Sequence, residues 1–264
     1  MRRLRSELGF LAAYFRANLK VALEYRVAFW SNVLAMFLND VMWVAFWAIF
    51  FTRFPQVRGY DLRDVLTIWA VAGLGFGIAT GVFGNCSRYA PIVAEGRLDF
   101  YLLLPRPPLF HLLVSHMSVS AWGDVLFGLA VYVAVARPSP GELVGFLVVS
   151  LAAGTIIAAH ATLANALAFW LGHAEGVAQQ VMNALLMFST YPTTLFSGLV
   201  RVILFTAIPA GFIAYLPVRF LRDWEPWQLA TVVAVALAYA VAAWWVFERG
   251  LRRYESGNLM AMRS

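Results

Sequence analysis

The chain has 264 residues, of which 62% are hydrophobic and 13% are charged, and it carries a formal net charge of +6 and one cysteine. Soluble globular proteins have about 25% charged residues and about 45–50% apolar ones. The composition therefore excludes a soluble enzyme, a disordered chain and a nucleic-acid-binding domain, and it indicates a helical integral membrane protein. With Cys86 alone, the chain can form neither an intrachain disulfide nor a zinc site built from thiolates.

The N-terminal segment, residues 1–26, predicts an amphipathic helix that lies at the membrane surface. Apolar residues recur there at spacings of three and four, which places them on one side of a helix. Arginine and lysine residues supply the charge. An interfacial helix combines these two features. The alternative is a solvated basic tail.

Six apolar blocks follow, each long enough to cross the hydrocarbon core of a bilayer as a helix. They cover approximately residues 27–51, 65–83, 109–136, 143–170, 177–200 and 229–247. Residues 201–221 are also apolar, but Pro209 and Pro217 interrupt them, and each proline removes a backbone donor. We therefore predict a broken, re-entrant helical pair there. The sequence thus predicts an all-α polytopic membrane protein with six spans, forming a single domain over residues 1–264.

The distribution of basic residues supports this topology. With six spans and a cytoplasmic N-terminus, the cytoplasmic segments hold thirteen arginine and lysine residues and the outer segments hold seven. Basic residues are enriched in the cytoplasmic loops of membrane proteins. A seventh span would place the basic C-terminus outside and remove most of this bias. We therefore expect both termini to be cytoplasmic.

The second span carries Gly73, Gly77 and Gly81, spaced four residues apart. Glycines at this spacing form a stripe along which a second helix can approach closely. The spacing favours a role in helix packing over a catalytic one. The sequence leaves open whether the partner helix belongs to this chain or to a second subunit.

Two acidic residues, Asp40 and Asp124, fall inside predicted spans. In a continuous third helix, His116, Ser120 and Asp124 would form one polar stripe. A charge at the bilayer centre costs about 2.5–3.5 kcal/mol on insertion scales, so intramembrane acids often mark function. These four residues form a candidate translocation path for a polar substrate or a proton. The alternative is structural, with hydrogen bonding between helices or an acid that burial keeps protonated.

Motifs for several kinds of chemistry are missing from the sequence. There is no G-x-x-x-x-G-K-[ST] motif for ATP, no H-E-x-x-H motif for zinc and no G-x-S-x-G nucleophile elbow. The four histidines lie on different segments and show no metal-ligand spacing on one helix face. We expect neither an enzyme nor a resident metal or cofactor.

The segment between the second and third spans, residues 85–108, combines charges, aromatic residues, a glycine and a proline stop. A plain loop needs only a few polar residues. The aromatic residues and arginine of this segment are types enriched at protein interfaces. The length and composition together indicate a cytoplasmic segment that docks a protein.

Residues 94–99 (Ala-Glu-Gly-Arg-Leu-Asp), followed by Leu102-Leu103-Leu104-Pro105, resemble the EGxLD…LLxP signature of type-2 ABC exporter permeases. The basic N-terminal helix is similar to the elbow helix of that family. The stretch from Ser197 to Arg201, with Ile208-Pro209 and Tyr215-Leu216-Pro217, resembles the family's re-entrant region. The resemblance covers nearly the whole chain.

The resemblance implies a permease with six spans in the cytoplasmic (inner) membrane. It implies a homodimer or heterodimer with a second permease subunit, and two separate ATP-binding subunits that bind ATP and Mg²⁺ and drive export. It places the contact with the ATPase in the segment after the second span, at Glu95, Gly96, Arg97, Leu98 and Asp99.

Two other functions remain open at this point. An ion-coupled secondary carrier would use Asp40 and Asp124, although carriers usually contain internal repeats and none is visible here. An intramembrane enzyme or scaffold subunit would need a catalytic or binding set that the sequence does not show. The chemical class of the substrate does not follow from the sequence.

Overall fold

The computed structural model describes residues 2–191 and 196–254, in which the regular elements are helices. Thirteen α-helices occupy this part of the chain: α1 Arg2–Glu24, α2 Arg26–Arg53, α3 Leu62–Val82, α4 Ala90–Ala94, α5 Asp99–Leu102, α6 Pro108–Val114, α7 Ala121–Ala136, α8 Pro140–Ala166, α9 Ala168–Leu171, α10 Glu175–Ser189, α11 Leu199–Ile203, α12 Leu216–Asp223 and α13 Pro226–Leu251. A 3-10 helix covers Gly84–Ser87 and a π-helical turn covers Gly211–Tyr215. The predicted all-α class is confirmed.

Local sequence signals fix where two of the long helices, α3 and α8, begin. Asp61 caps α3, because its carboxylate accepts the Asp64 N–H at 2.9 Å while its own N–H donates to the Asp64 carboxylate at 3.2 Å. Ser139 and Glu142 make the same reciprocal pair at the start of α8. Each reciprocal pair, known as a capping box, satisfies backbone N–H donors that a helix N-terminus otherwise leaves unpaired.

Helix α3 lies at the centre of the bundle, between α7 and α8. Both contacts are close enough to require glycine. A Cβ atom on Gly77 would lie 2.8 Å from the Ala121 carbonyl oxygen, and one on Gly154 would lie 2.7 Å from the Gly75 carbonyl oxygen. The stripe of Gly73, Gly77 and Gly81 therefore faces α7 of the same chain.

Helices α2 and α13 lie at the periphery, against α7 and α8 respectively. Four helices, α2, α3, α8 continuing into α9, and α13, are long and apolar enough to cross a membrane, and α7 is a shorter apolar helix. Several large apolar side chains on α2 and α13 are exposed. A polytopic membrane protein is confirmed, and the count of six spans stays a prediction.

The prediction of one continuous helix over residues 109–136 for the third span is wrong. The chain makes α6 and α7 with a non-helical break at residues 115–120. The break is held by hydrogen bonds from outside the segment: Ser118 N–H donates to the Thr80 carbonyl at 3.1 Å, and Gly84 N–H donates to the His116 carbonyl at 3.0 Å. Serine residues favour such a break, because their hydroxyls compete for backbone partners.

Two further spans differ in extent from the sequence reading. Helix α10, at the predicted fifth span, has 15 residues and ends at Ser189. Pro192, a residue that would kink a continuous helix across the fifth span, lies outside the described residues. Between residues 199 and 223 the chain forms α11, the π-helical turn and α12, with Pro209 before the turn and Pro217 in the first turn of α12. The interruption is as predicted, whereas a re-entrant path through the membrane stays a prediction.

The N-terminal helix contacts the segment around α6. The Asn18 amide donates to the Val114 carbonyl at 3.1 Å, and the Tyr14 hydroxyl contacts a ring nitrogen of His111. The rings of Phe15 and Trp122 meet edge to face at 5.5 Å. The predicted N-terminal helix is confirmed over Arg2–Glu24, and its place at the membrane surface stays a prediction.

We expect Gly77→Ala to destabilise the protein by about 1–3 kcal/mol, the usual range for overpacking. The added Cβ would meet backbone atoms of Ala121 and Val125 at 2.8 and 2.9 Å, and backbone cannot rotate away. The measurement is thermal unfolding in detergent. Gly141→Ala is the control, because a Cβ there has nothing within 4 Å. Equal unfolding temperatures for the two variants would contradict the close α3–α7 contact.

Candidate functional site

The segment after α3 forms a chain of short helical turns. The 3-10 helix Gly84–Ser87 leads into α4, and α5 follows after residues 95–98. Gly96 separates α4 from α5 with φ at +74°, a left-handed conformation that side chains other than glycine rarely adopt. The glycine of this segment thus lies where the helical backbone is interrupted.

The inner face of this segment is attached to the membrane helices. Tyr89 is fully buried, and its hydroxyl donates to the Thr162 carbonyl of α8 at 2.6 Å. One turn further along α8, the Asn165 carboxamide oxygen accepts the Ala90 N–H at 3.1 Å. The Tyr89 ring meets Phe247 of α13 at 5.9 Å. These contacts hold α4 against the ends of two spans.

The flanks of the segment are anchored in the same way. Asn85 donates to the Leu112 carbonyl at 2.9 Å and to the Ser115 hydroxyl at 2.8 Å. Cys86 and Leu98 have no exposed surface. Leu98, one of the residues carried over as an ATPase contact, therefore supports the segment from beneath.

The outer face is exposed and mixes charge with apolar surface. Glu95, Arg97 and Asp99 are exposed, and Arg97 forms a salt bridge with Glu95 at 2.7 Å. Phe100 is 63% exposed and Leu103 is 86% exposed. A cavity of about 530 Å³ opens beside this face and contains Arg88, Arg97 and Glu175 in its lining. The segment thus has a buried side and a side open to a partner.

A pair of carboxyl groups lies between α2 and α7. Asp40 and Asp124 are both buried, and their side chains are within hydrogen-bonding reach of each other. The two helices meet closely at Gly123, where a Cβ would lie 2.5 Å from the Val33 carbonyl oxygen. The Oδ2 atom of each aspartate is buried and has no N–H or other donor. Since two carboxylates only accept hydrogen bonds, a proton held between them would satisfy both.

The polar stripe of His116, Ser120 and Asp124 is wrong, because the first two residues lie in the break before α7. His116 instead contacts the segment of residues 85–108, where its Nε2 atom is 3.3 Å from an Arg88 guanidinium nitrogen. Ser120 hydrogen-bonds to Ser118 at 3.2 Å. Asp124 lies in the first turn of α7, where a carboxylate complements the partial positive charge of a helix N-terminus.

Sequence reasoning missed three parts of this site. The contact of Arg88 with His116, the contact of Asp40 with Asp124 and the attachment of Tyr89 to α8 all join residues far apart in the chain. Gly123, directly before Asp124, was the one local signal of a close approach by α2. Among residues 2–191 and 196–254, no group of three or more His, Cys, Asp or Glu residues is placed to hold a metal ion.

The sequence model of the ABC-2 family transporter proteins matches residues 37–257. The chain belongs to this family. The match covers all of the helices from the second half of α2 to α13, including the segment with α4 and α5. No curated protein and no solved structure matches the chain. The family match supports a permease of an ABC transporter, which implies a separate ATP-binding subunit.

We expect Asp124→Leu to lower stability by about 1–3 kcal/mol, because it removes the carboxyl beside the buried Asp40 and leaves Asp40 with the 3.4 Å hydrogen bond from the Asn39 amide. Asp124→Asn keeps a group that can hydrogen-bond and should cost less. The measurement is thermal unfolding in detergent. Combining Asp40→Leu with Asp124→Leu should cost less than the sum of the single changes. Additive effects would show that the two carboxyls do not interact.

We expect Cys86 to be unreactive toward a water-soluble maleimide in the folded protein. The thiol has no exposed surface, and burial raises the pKa of Cys86 to about 12, so almost no thiolate is present near neutral pH. Labelling before and after denaturation, read by mass, checks this. Cysteine introduced at Leu103 is the positive control. Labelling of both cysteines at the same rate would contradict the burial.

Proposed function

We propose that the chain is the permease subunit of an ABC exporter that moves a substrate out of the cytoplasm or the inner leaflet. ATP hydrolysis in a separate subunit, which binds ATP and Mg²⁺, drives the movement. The observation that supports this proposal is the two-sided segment of residues 85–108. Its inner side is attached to α8 and α13, and its outer side is exposed.

The outer side has the composition of a protein interface. Phe100 and Leu103 expose apolar surface, and Glu95 and Arg97 place charges beside it. Interfaces combine apolar anchors with charges that select and orient the partner. In the proposed transporter, the ATPase binds these residues, and its movement on ATP binding reaches the spans through Tyr89.

The proposed assembly contains two permease subunits, identical or different, in the cytoplasmic membrane. Helix α2 supports this arrangement, because most of its apolar length is exposed in the single chain and includes Leu34, Leu38 and Trp43. Lipid or a second permease subunit covers this surface. Both termini are cytoplasmic in the proposed topology, which places residues 85–108 on the side of ATP.

The first experiment is co-purification in mild detergent with an ATP-binding subunit, followed by measurement of ATPase stimulation. We expect Phe100→Ala to weaken stimulation while thermal unfolding stays unchanged, since the ring lies largely outside the fold. Leu98→Ala should instead destabilise the fold by about 2–5 kcal/mol, because Leu98 is fully buried. Full stimulation of the stable Phe100→Ala variant would count against docking at this face.

The Glu95–Arg97 pair allows a sharper test. Exchanging the two residues, as Glu95→Arg with Arg97→Glu, keeps a salt bridge within the chain. If the charges act on the ATPase, each single change and the exchange should all lower stimulation. If they act only on each other, the exchange should restore it. Arg201→Ala, at an exposed arginine of α11, is the matched control.

An ion-coupled carrier is the second candidate, favoured by the buried pair of Asp40 and Asp124. A shared proton there could be released and regained during transport. In this case, transport should follow a proton gradient without ATP and should stop in the Asp40→Asn, Asp124→Asn double variant. Transport that requires ATP and persists in the double variant would exclude it.

A further inference from the structure

A cavity of about 700 Å³ lies at the C-terminal end of α13, at the far end of the helix from Pro226. It is lined by Trp170, Trp245, Val246, Arg249, Arg252 and Arg253. Ligand cavities commonly have volumes of about 300–1,000 Å³. Among the described residues, the lining combines three arginines with two tryptophans and contains no acidic side chain.

The walls of the cavity are set by one close contact between α9 and α13. Phe169 lies against Gly250, where a Cβ atom would come within 2.3 Å of its ring. The same ring meets Phe247 at 5.4 Å and Tyr254 at 6.3 Å. Because Phe169 is held in this way, its neighbour Trp170 lies at the cavity, whose lining also includes Trp245.

The described side chains that line the cavity carry a positive charge, and Glu248 of α13 lies next to Arg249 in sequence and one turn before Arg252. In the part of the chain that the structure describes, the salt bridges involve Arg97, Arg219 and Arg222, and none of the arginines in this cavity. The Arg249 guanidinium lies 5.6 Å from the centre of the Trp245 ring, which orients it by a cation–π contact. All three arginines are exposed.

An apolar strip of α13 leads directly to this cavity. Leu237, Val241 and Trp244 recur at spacings of four and three and are 62%, 62% and 54% exposed. Trp245 follows Val241 by four residues and Arg249 follows Trp245 by four, so neighbouring side chains lead round the helix from the strip to the cavity. Glu248, four residues after Trp244, lies at the end of the strip itself. A molecule with a phosphate group and long acyl chains matches both parts, since its head meets the arginines and its chains follow the strip.

We propose that this cavity binds the headgroup of an anionic phospholipid in the inner leaflet. The inference rests on the proposed topology, in which α13 spans the membrane and ends at the cytoplasmic side. Tryptophans commonly lie at this level of a membrane, and basic clusters beside it bind anionic headgroups. An acidic protein surface would use the arginines but would leave the apolar strip without a role.

The experiment is native mass spectrometry of the purified chain in detergent, titrated with phosphatidylglycerol or with zwitterionic phosphatidylcholine. We expect phosphatidylglycerol to bind more tightly. Each basic residue near an anionic headgroup strengthens binding roughly 5-fold, so Arg249→Ala, Arg252→Ala and Arg253→Ala together should weaken it roughly 100-fold. The corresponding triple lysine variant keeps the charge and should retain binding within about 5-fold.

The matched control removes three exposed arginines elsewhere, as Arg53→Ala, Arg137→Ala and Arg201→Ala, and should leave lipid binding unchanged. Equal loss in the control, or no loss in the cavity variant, overturns the proposal. If the triple alanine variant does not fold, Arg252→Ala and Arg253→Ala are measured singly, with about a 5-fold loss expected for each.

Two further outcomes separate this site from other anion sites. Competition by inorganic phosphate at the same concentration as the lipid would indicate a phosphate site and would overturn the lipid assignment. If the triple alanine variant binds lipid fully but no longer co-purifies with the ATP-binding subunit, the arginines belong to a protein interface and the lipid proposal is overturned. Because lipid binding is measured without ATP or substrate, its failure leaves the proposed transport function intact. A failed transport test likewise leaves the lipid-binding result intact.

Discussion

The fold depends on the close backbone approach of α7 to its two neighbours. Lipid tails are as apolar as leucine side chains, so helices in a membrane associate through tight contact and hydrogen bonds. Here, Gly77 of α3 and Gly123 of α7 each leave space for the backbone of the facing helix. The second of these contacts brings α2 alongside α7 and places Asp40 next to Asp124. Larger residues at the two glycines would separate the helices and take the carboxyl pair apart with them.

The segment of residues 85–108 is stabilised in a different way, because one of its sides is buried against the helices and the other is exposed. Val93 and Leu98 are fully buried against the ends of the spans, while Phe100 and Leu103 are exposed. A segment of short helical turns could not hold this shape alone, since short isolated helices are marginal in water. Its order comes from Tyr89 and Asn85, which bond to neighbouring backbone and side chains. The exposed residues are therefore presented on a rigid base.

The sequence predicted those features that depend on local pattern. Apolar length identified α2, α3, α8 and α13, glycine spacing identified the face of α3 that contacts another helix, and Pro209 and Pro217 marked an interrupted segment. The break at residues 115–120 could not be predicted in this way, because its backbone bonds to Thr80 and Gly84. The contact between Asp40 and Asp124 was missed for the same reason, as it joins helices 84 positions apart in the chain. Pairings of this kind are decided by tertiary packing.

The hydrogen bonds from Tyr89 and Ala90 to α8 have a mechanical consequence. They attach α4 to the final turns of a 27-residue helix, whose other neighbours include α3 at the Gly75–Gly154 contact. A close-packed backbone contact resists compression and transmits strain. A displacement of α4 is therefore transmitted along α8 to its contact with α3 at the centre of the bundle, and little of it is absorbed by bending of a loop.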